Sequence, residues 1–148
     1  VDFRMLHPDA DEMIKDNNAS CVLRISNQAG SILLPGDIEK RAERELLRNQ
    51  RAYLASDILV APHHGSKTSS TQAFIDAVQP QTVLFPVGYR NRYRFPKKEI
   101  VERYQSSGVN NLLDTSKQGA ITLKLGHDGV IKGPMTYRQS QHHYWNAE

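Results

Sequence analysis

One cysteine in 148 residues excludes an internal disulfide, so no covalent cross-link within the chain stabilises the fold. That residue, Cys21, stands in an apolar strand pattern and reads as a small core residue rather than a nucleophile. Long hydrophobic runs are missing too. The longest are a few residues, far from the ~20 needed to cross a bilayer. No charged-then-apolar leader opens the chain, and Val1 in place of Met is read as the start of a fragment or a processed product. For that reason the lack of membrane segments says nothing about a longer parent. Internal repeats, low-complexity tracts and a second-domain boundary are also lacking. Charge of one sign is scarce: a net +3 barely raises the expectation of a polyanionic partner. What remains, 39% hydrophobic and 24% charged residues, fits one globular domain with one core.

The first 16 residues are polar and broken by Pro8, and irregular structure is expected there. Cys21–Ile25 and Ser31–Leu34 flank Gln28-Ala29-Gly30 and predict an antiparallel hairpin. Ile38, Ala42 and Leu46 recur every four residues and predict an amphipathic helix over 38–48. Ile58–Ala61 is a short buried strand. A helix with Phe74, Ile75 and Val78 on its apolar face follows, capped by Ser69, Ser70 or Thr71. Thr82–Phe85 is a strand, 97–107 a helix closed by Gly108, and Asn111–Leu113 a strand. Ala120–Leu125 and Val130–Ile131 form a second hairpin around Gly126–Gly129, and the tail from Arg138 is expected to be flexible. Alternating strands and helices flanked by hairpins predict an α/β fold with a mixed sheet.

Chemistry concentrates at two strand ends. Ser31–Leu34 runs into Pro35-Gly36-Asp37, and Ile58–Ala61 runs into Pro62-His63-His64-Gly65-Ser66. A carboxylate and imidazoles on the lip of a sheet are metal-binding chemistry, and a carboxylate can bridge two divalent ions about 3.5–4 Å apart. Asp37 also reads as the N-cap of the following helix. Adjacent side chains on an extended strand point to opposite sides, so His63 and His64 share a site only if the strand has already ended. Ser66, Lys67, Thr68, Ser69 and Ser70 offer hydroxyls and charge to phosphate oxygens, or simply make a solvated loop with a helix cap. Asn17, Asn18 and Ser20 precede the first hairpin as weaker site candidates. In the loop 91–96, Arg92 and Arg94, with Arg90 just before it, suit phosphates, and Tyr93 suits base stacking. His7, His127, His142 and His143 have no motif around them and read as surface residues.

Five motifs in order carry a resemblance. They are Asn17-Asn18-Ala19-Ser20-Cys21-Val22-Leu23, Leu33-Leu34-Pro35-Gly36-Asp37, Val60-Ala61-Pro62-His63-His64-Gly65-Ser66, Asn91-Arg92-Tyr93 and Gln118-Gly119-Ala120-Ile121. Over about residues 15–125 the chain resembles the metallo-β-lactamase-like domain at the C-terminal end of the ComEC family, DNA-internalization proteins of natural transformation. The resemblance implies an αββα sandwich with a metal site at one sheet edge. It also implies a hydrolase domain that degrades one strand of incoming DNA, beside a membrane channel region of the same protein. The domain would be soluble, part of a bacterial inner-membrane protein, on the periplasmic rather than the cytoplasmic side.

By that resemblance Asp37 matches the bridging aspartate and His63-His64 the late histidine motif. His64 is the favoured ligand of the two, because His-x-Ser at this point is also found in related metal-dependent nucleases. The chain departs from the family pattern in three places. His-x-His-x-Asp-His is absent, Pro35 replaces a usual Thr, and Phe95 stands where a His often precedes Pro. The chain therefore reads as the C-terminal half of the domain: an irregular segment 1–16, a partial domain 17–135 and a tail 136–148. The expected cation is zinc or manganese, incompletely coordinated here, with no small organic cofactor. Asp37 and His64 are the candidate catalytic residues, with His63 as a further metal ligand. Asn18, Ser20, Ser66, Lys67, Arg92 and Tyr93 are the candidate DNA contacts. Half a sandwich exposes a sheet face, so a homodimer or an inactive piece is expected. The rival readings are a non-catalytic module that binds DNA or a channel segment, and a hydrolase of small molecules.

Overall fold

The period-two apolar pattern becomes a sheet whose strand order follows the sequence. The computed structural model describes residues 1–8 and 15–141. Within them, β1 (Asp2–His7), β2 (Val22–Ser26), β3 (Ser31–Leu34), β4 (Ile58–Val60), β5 (Thr82–Phe85) and β6 (Asn111–Asp114) form one six-stranded sheet in that order. β1, β2 and β3 pair antiparallel. β3 through β6 pair parallel. The parallel neighbours are joined by α1 (Lys40–Asn49), α2 (Gln72–Val78) and α3 (Lys98–Ser106). Right-handed crossovers between sequential parallel strands place their helices on one face. The three helices do meet there, around the buried Ser70 discussed below.

Register fixes which residues enter the core. Leu33 lies beside Leu59, Leu59 beside Val83 and Val83 beside Leu112, a row across four strands. Leu33, Leu59 and Val83 are fully buried against Ala42 and Leu46 of α1, Phe74, Ile75 and Val78 of α2, and Ile100 and Tyr104 of α3. The predicted helical faces are the buried ones. Burial of each large side chain contributes about 1.5–3 kcal/mol. The opposite face carries Phe3 and Met5, both exposed, across from Ile25 and Leu23.

Four expectations are corrected. Residues 2–7 are not irregular. Asp2 and Arg4 alternate with Phe3 and Met5, and β1 takes its ladder from β2 despite its charges. His7 is not a surface residue: it is 4% exposed, and its Nε2–H donates to the Asn18 carbonyl at 2.6 Å. Cys21 is exposed, one residue before β2, because Val22 is the first side chain to point into the core. The early tail is partly ordered, since Tyr137–Ser140 forms a helical turn and Arg138 donates to the Ser116 carbonyl at 2.6 Å. Residues 9–14, with Asp9, Asp11 and Glu12, and residues 142–148, with His142 and His143, lie outside the described residues.

The second hairpin forms as predicted from β7 (Ile121–Leu125) and β8 (Ile131–Thr136), a separate two-stranded sheet. It docks on the β2–β3 turn, where Asn27 Nδ2 donates to the Leu125 carbonyl at 3.1 Å. Among the described residues no helix is long and apolar enough to cross a membrane.

Candidate functional site

Parallel β3, β4 and β5 end at one edge of the sheet, so the loops after them converge. The carboxyl ends of parallel strands are the usual place for a ligand in open α/β sheets. Here the three loops enclose a cleft of about 450 Å³ that includes Asp37, His63, His64, Asn91, Tyr93 and Phe95 in its lining.

Asp37 reaches the cleft because it does not cap α1. Glu39 is the N-cap residue, and the Asn18 side-chain oxygen accepts from the Glu39 and Ala42 amides, each at 3.2 Å. The Asp37 amide donates to Ser20 Oγ at 3.2 Å. Gly36 makes the turn at φ +61, with Ser20 Cβ 2.9 Å from where its own Cβ would be. Asn18 and Ser20 thus hold the Asp37 loop, each accepting backbone amide hydrogens through its side-chain oxygen.

The histidine loop is sharper. The Ala61 amide extends the ladder by donating to the Leu84 carbonyl at 2.8 Å, and Pro62 then ends it. His63 (φ 47, ψ 42) and His64 (φ 56, ψ 20) are both left-handed, followed by Gly65 at φ +81. Left-handed backbone costs a non-glycine residue of order 1–3 kcal/mol, and such strain clusters at sites. The result is that both rings flank one cleft, 6.4 Å apart, where an extended strand would have splayed them. The His63 amide donates to the Gly36 carbonyl at 3.1 Å and ties the two loops together.

His64 Nε2 lies 3.4 Å from Asp37 Oδ1, and His64 Nδ1 lies 2.8 Å from the Pro86 carbonyl. Both neighbours are acceptors. A neutral imidazole has one N–H and cannot donate to both. With Nδ1–H on the carbonyl, the Nε2 lone pair faces a carboxylate, and either a second ring hydrogen or a cation between them would resolve the repulsion. A backbone carbonyl behind the ring is also the usual support of a metal-bound histidine. His63 is held differently, by Glu39 Oε1 at 3.3 Å and Thr68 Oγ1 at 3.1 Å on its Nδ1 side. Among the described residues no group of three or more His, Cys, Asp or Glu side chains is placed to hold a metal ion. Asp37 and His64 are a facing pair of oxygen and nitrogen donors, fit for part of a zinc or manganese shell.

The other wall is aromatic. Tyr93 stacks on Phe95 with centroids 5.6 Å apart, and Phe95 stacks on His64 at 6.4 Å. The Arg92 guanidinium lies over the Tyr93 ring at 4.7 Å. Asn91 builds this loop, accepting from the Phe95 amide at 2.8 Å and donating to the Phe95 carbonyl at 2.9 Å. Lys67 is exposed and pairs with Glu99 at 2.9 Å. Ser66 is buried, and its hydroxyl bonds Thr68 Oγ1 at 3.1 Å. Ser69 and Ser70 also turn inward.

Behind the loop sits a group the sequence did not reveal. Glu43 of α1 is fully buried and accepts from the Ser70 and Thr71 amides at 2.5 and 2.9 Å. Tyr104 of α3 donates to Ser70 Oγ at 2.9 Å, and Arg103 donates to the Ser70 carbonyl at 2.6 Å. Burial pushes the Glu43 carboxyl above its ordinary range, against the pull of its bonds from Thr71 and Ser70. Burial pushes the Tyr104 phenol up as well. Glu39, Glu43 and Thr68 carried no local signal, since their partners are distant in sequence.

No family model matches the chain. Curated proteins do. It is 38% identical over 130 residues to competence protein ComA of Neisseria gonorrhoeae, covering 88% of this chain and 19% of that protein. It is 34% identical over 121 residues to ComE operon protein 3 of Bacillus subtilis (strain 168), covering 82% and 15%. It is 30% identical over 128 residues to recombination protein 2 of Haemophilus influenzae, covering 85% and 16%. The chain therefore spans under one fifth of the length of these relatives. Over most of its own length it is homologous, at 30–38% identity, to one segment of competence proteins of the ComEC family.

Proposed function

We propose that this chain is part of a metal-dependent phosphodiesterase domain that degrades one DNA strand during uptake in natural transformation. The single observation that carries the reading is the Asp37–His64 pair, 3.4 Å apart across the ends of neighbouring parallel strands. The names of the relatives support a role in competence. The mixed sheet with helices on one face suits half of a metallo-β-lactamase-like sandwich. The other half, and the remaining ligands, would come from outside this chain. DNA would be the substrate, and the membrane channel region of the longer protein its neighbour.

When bound, zinc or manganese would activate water and neutralise phosphate charge near neutral pH. Asp37 and His64 would hold it, each through the lone pairs their loops leave free. Exposed Lys67 and Arg92 meet the phosphate backbone, sequence-independently. Tyr93 offers a flat face to a base, and Phe95 keeps water from the inner side of the rings.

The test is cleavage of DNA by the full-length protein with manganese or zinc. Asp37→Ala should lower the rate by at least 10²-fold, and unchanged cleavage removes Asp37 from the mechanism. Among the described residues no third His, Cys, Asp or Glu side chain joins Asp37 and His64, and the rival reading is a module that binds DNA without cutting. That reading prevails if the full-length protein binds DNA and shows no metal-dependent cleavage.

A further inference from the structure

His63 and His64 are adjacent in sequence and share a cleft, yet their ring nitrogens meet different partners. His64 Nε2 faces Asp37, whereas His63 Nδ1 faces Glu39 Oε1 at 3.3 Å and Thr68 Oγ1 at 3.1 Å. The Thr68 hydroxyl donates to Glu39 Oε1 at 2.9 Å. Its hydrogen is spent there, and a carboxylate has none to give. The Ser66 hydroxyl then donates to Thr68 Oγ1 across 3.1 Å. Every atom around His63 Nδ1 is therefore an acceptor, and Nδ1 must carry the hydrogen. At the far end of the ring, Asn17 Nδ2 lies 3.5 Å from His63 Nε2, a donor turned toward a lone pair. The hydrogen bonds close without remainder in this arrangement.

We propose that Glu39 is a positioning residue of the site. Through its own carboxylate and the Thr68 hydroxyl it orders, Glu39 locks His63 as the Nδ1–H tautomer and presents the Nε2 lone pair to the cleft as a hydrogen-bond acceptor. The two histidines then have separate parts. His64 pairs with Asp37 at the cation position. His63, backed by a carboxylate instead of a carbonyl, receives an O–H or N–H donor from whatever enters the cleft, in place of the long 3.5 Å contact from Asn17. In the hydrolase reading, on which this division of roles rests, that donor is the attacking water. A carboxylate behind an imidazole is a recurrent way to fix tautomer and ring orientation. Glu39 is about one-third exposed and spends no side-chain bond on capping α1, so nothing in the helix requires its carboxylate.

The test reads the tautomer directly, by long-range ¹H–¹⁵N correlation of the histidine rings in the uniformly ¹⁵N-labelled chain. His63→Gln assigns the signals. Wild-type His63 should show Nδ1 protonated and Nε2 bare. Thr68→Val should retain that pattern, because Glu39 still accepts. The double variant Glu39→Ala/Thr68→Val should release the ring to a mixture containing Nε2–H, while the His64 signals stay unchanged. A wild-type His63 bearing its hydrogen on Nε2 overturns the proposal, and so does an unchanged pattern in a folded double variant. If the double variant does not fold, the wild-type spectrum alone decides. The readout needs neither metal nor DNA, so its failure is distinct from a failure of the hydrolase reading, which the cleavage assay detects.

Discussion

At the residue scale the site depends on backbone that most residues avoid. Three successive left-handed positions, His63, His64 and Gly65, turn the chain so tightly that two neighbouring rings share one cleft. Gly65 is the position with least freedom to change. A Cβ there would lie 2.7 Å from Pro96 Cβ and 3.0 Å from Phe85 Cδ1, at φ +81. Neither neighbour can move away cheaply, since Phe85 is buried in the core and Pro96 is a rigid ring. Gly65→Ala should therefore cost about 2–3 kcal/mol, from strain and overpacking together. Urea unfolding followed by tryptophan-independent circular dichroism measures it, and a loss below about 0.5 kcal/mol would show that the turn relaxes freely. Asp37 and the two histidines were legible in the sequence because buried apolar runs ended in them. That Asn18, Ser20 and Ser66 lend their oxygens to the loops themselves was not legible, because polarity alone does not say whether an oxygen faces the cleft or the backbone. His7 was misread as exposed because its partner, the Asn18 carbonyl, has no sequence signature.

At the element scale, three helices are locked to the histidine loop by one buried carboxylate. Glu43 of α1 accepts from two amides at the start of α2, and Ser70 between them is gripped by Tyr104 and Arg103 of α3. The apolar faces of these helices follow from their four-residue spacing, and so were predictable. A charged residue inside such a face was not, since an amphipathic pattern assigns Glu to water. Burial makes the carboxylate form costly and raises the Glu43 pKa above its ordinary 4.5. The folded state then binds more protons than the unfolded state in the window above 4.5, and stability falls as pH rises through it. The contribution is fully present below 4.5 and is lost once pH has passed the raised folded value. Glu43→Gln should flatten that slope, because the amide does not titrate. It should also keep one of the two amide bonds. Urea midpoints from pH 4 to pH 7 for both proteins test this, and parallel slopes would show that Glu43 is not the group responsible.

At the scale of the whole molecule, the sheet is dressed on one side and open on part of the other. Helices cover Leu33, Leu59 and Val83, while alternation sends Phe3, Met5, Leu23, Ile25, Ile32 and Leu34 to the opposite face. Phe3 and Met5 are 66% and 56% exposed, and the other four are half-buried. Among the described residues β1 is also an edge strand, with one row of backbone donors and acceptors unpaired within the sheet. Contiguous apolar surface beside an open edge favours association over a free monomer. The same face is where a second sheet would sit in the proposed sandwich, and the chain spans at most 19% of the relatives named above. In isolation the chain should therefore self-associate with concentration, and Phe3→Thr/Met5→Thr should shift it toward monomer. Light scattering on a size-exclusion column measures both. The substituted residues are exposed on a β-strand, where Thr keeps the strand propensity, so the variant should fold with little loss. A wild-type chain that stays monomeric at high concentration would mean that the open face tolerates water. The half-sandwich reading would then lose its physical support, and the Asp37–His64 pair would have to be completed from within a differently built domain.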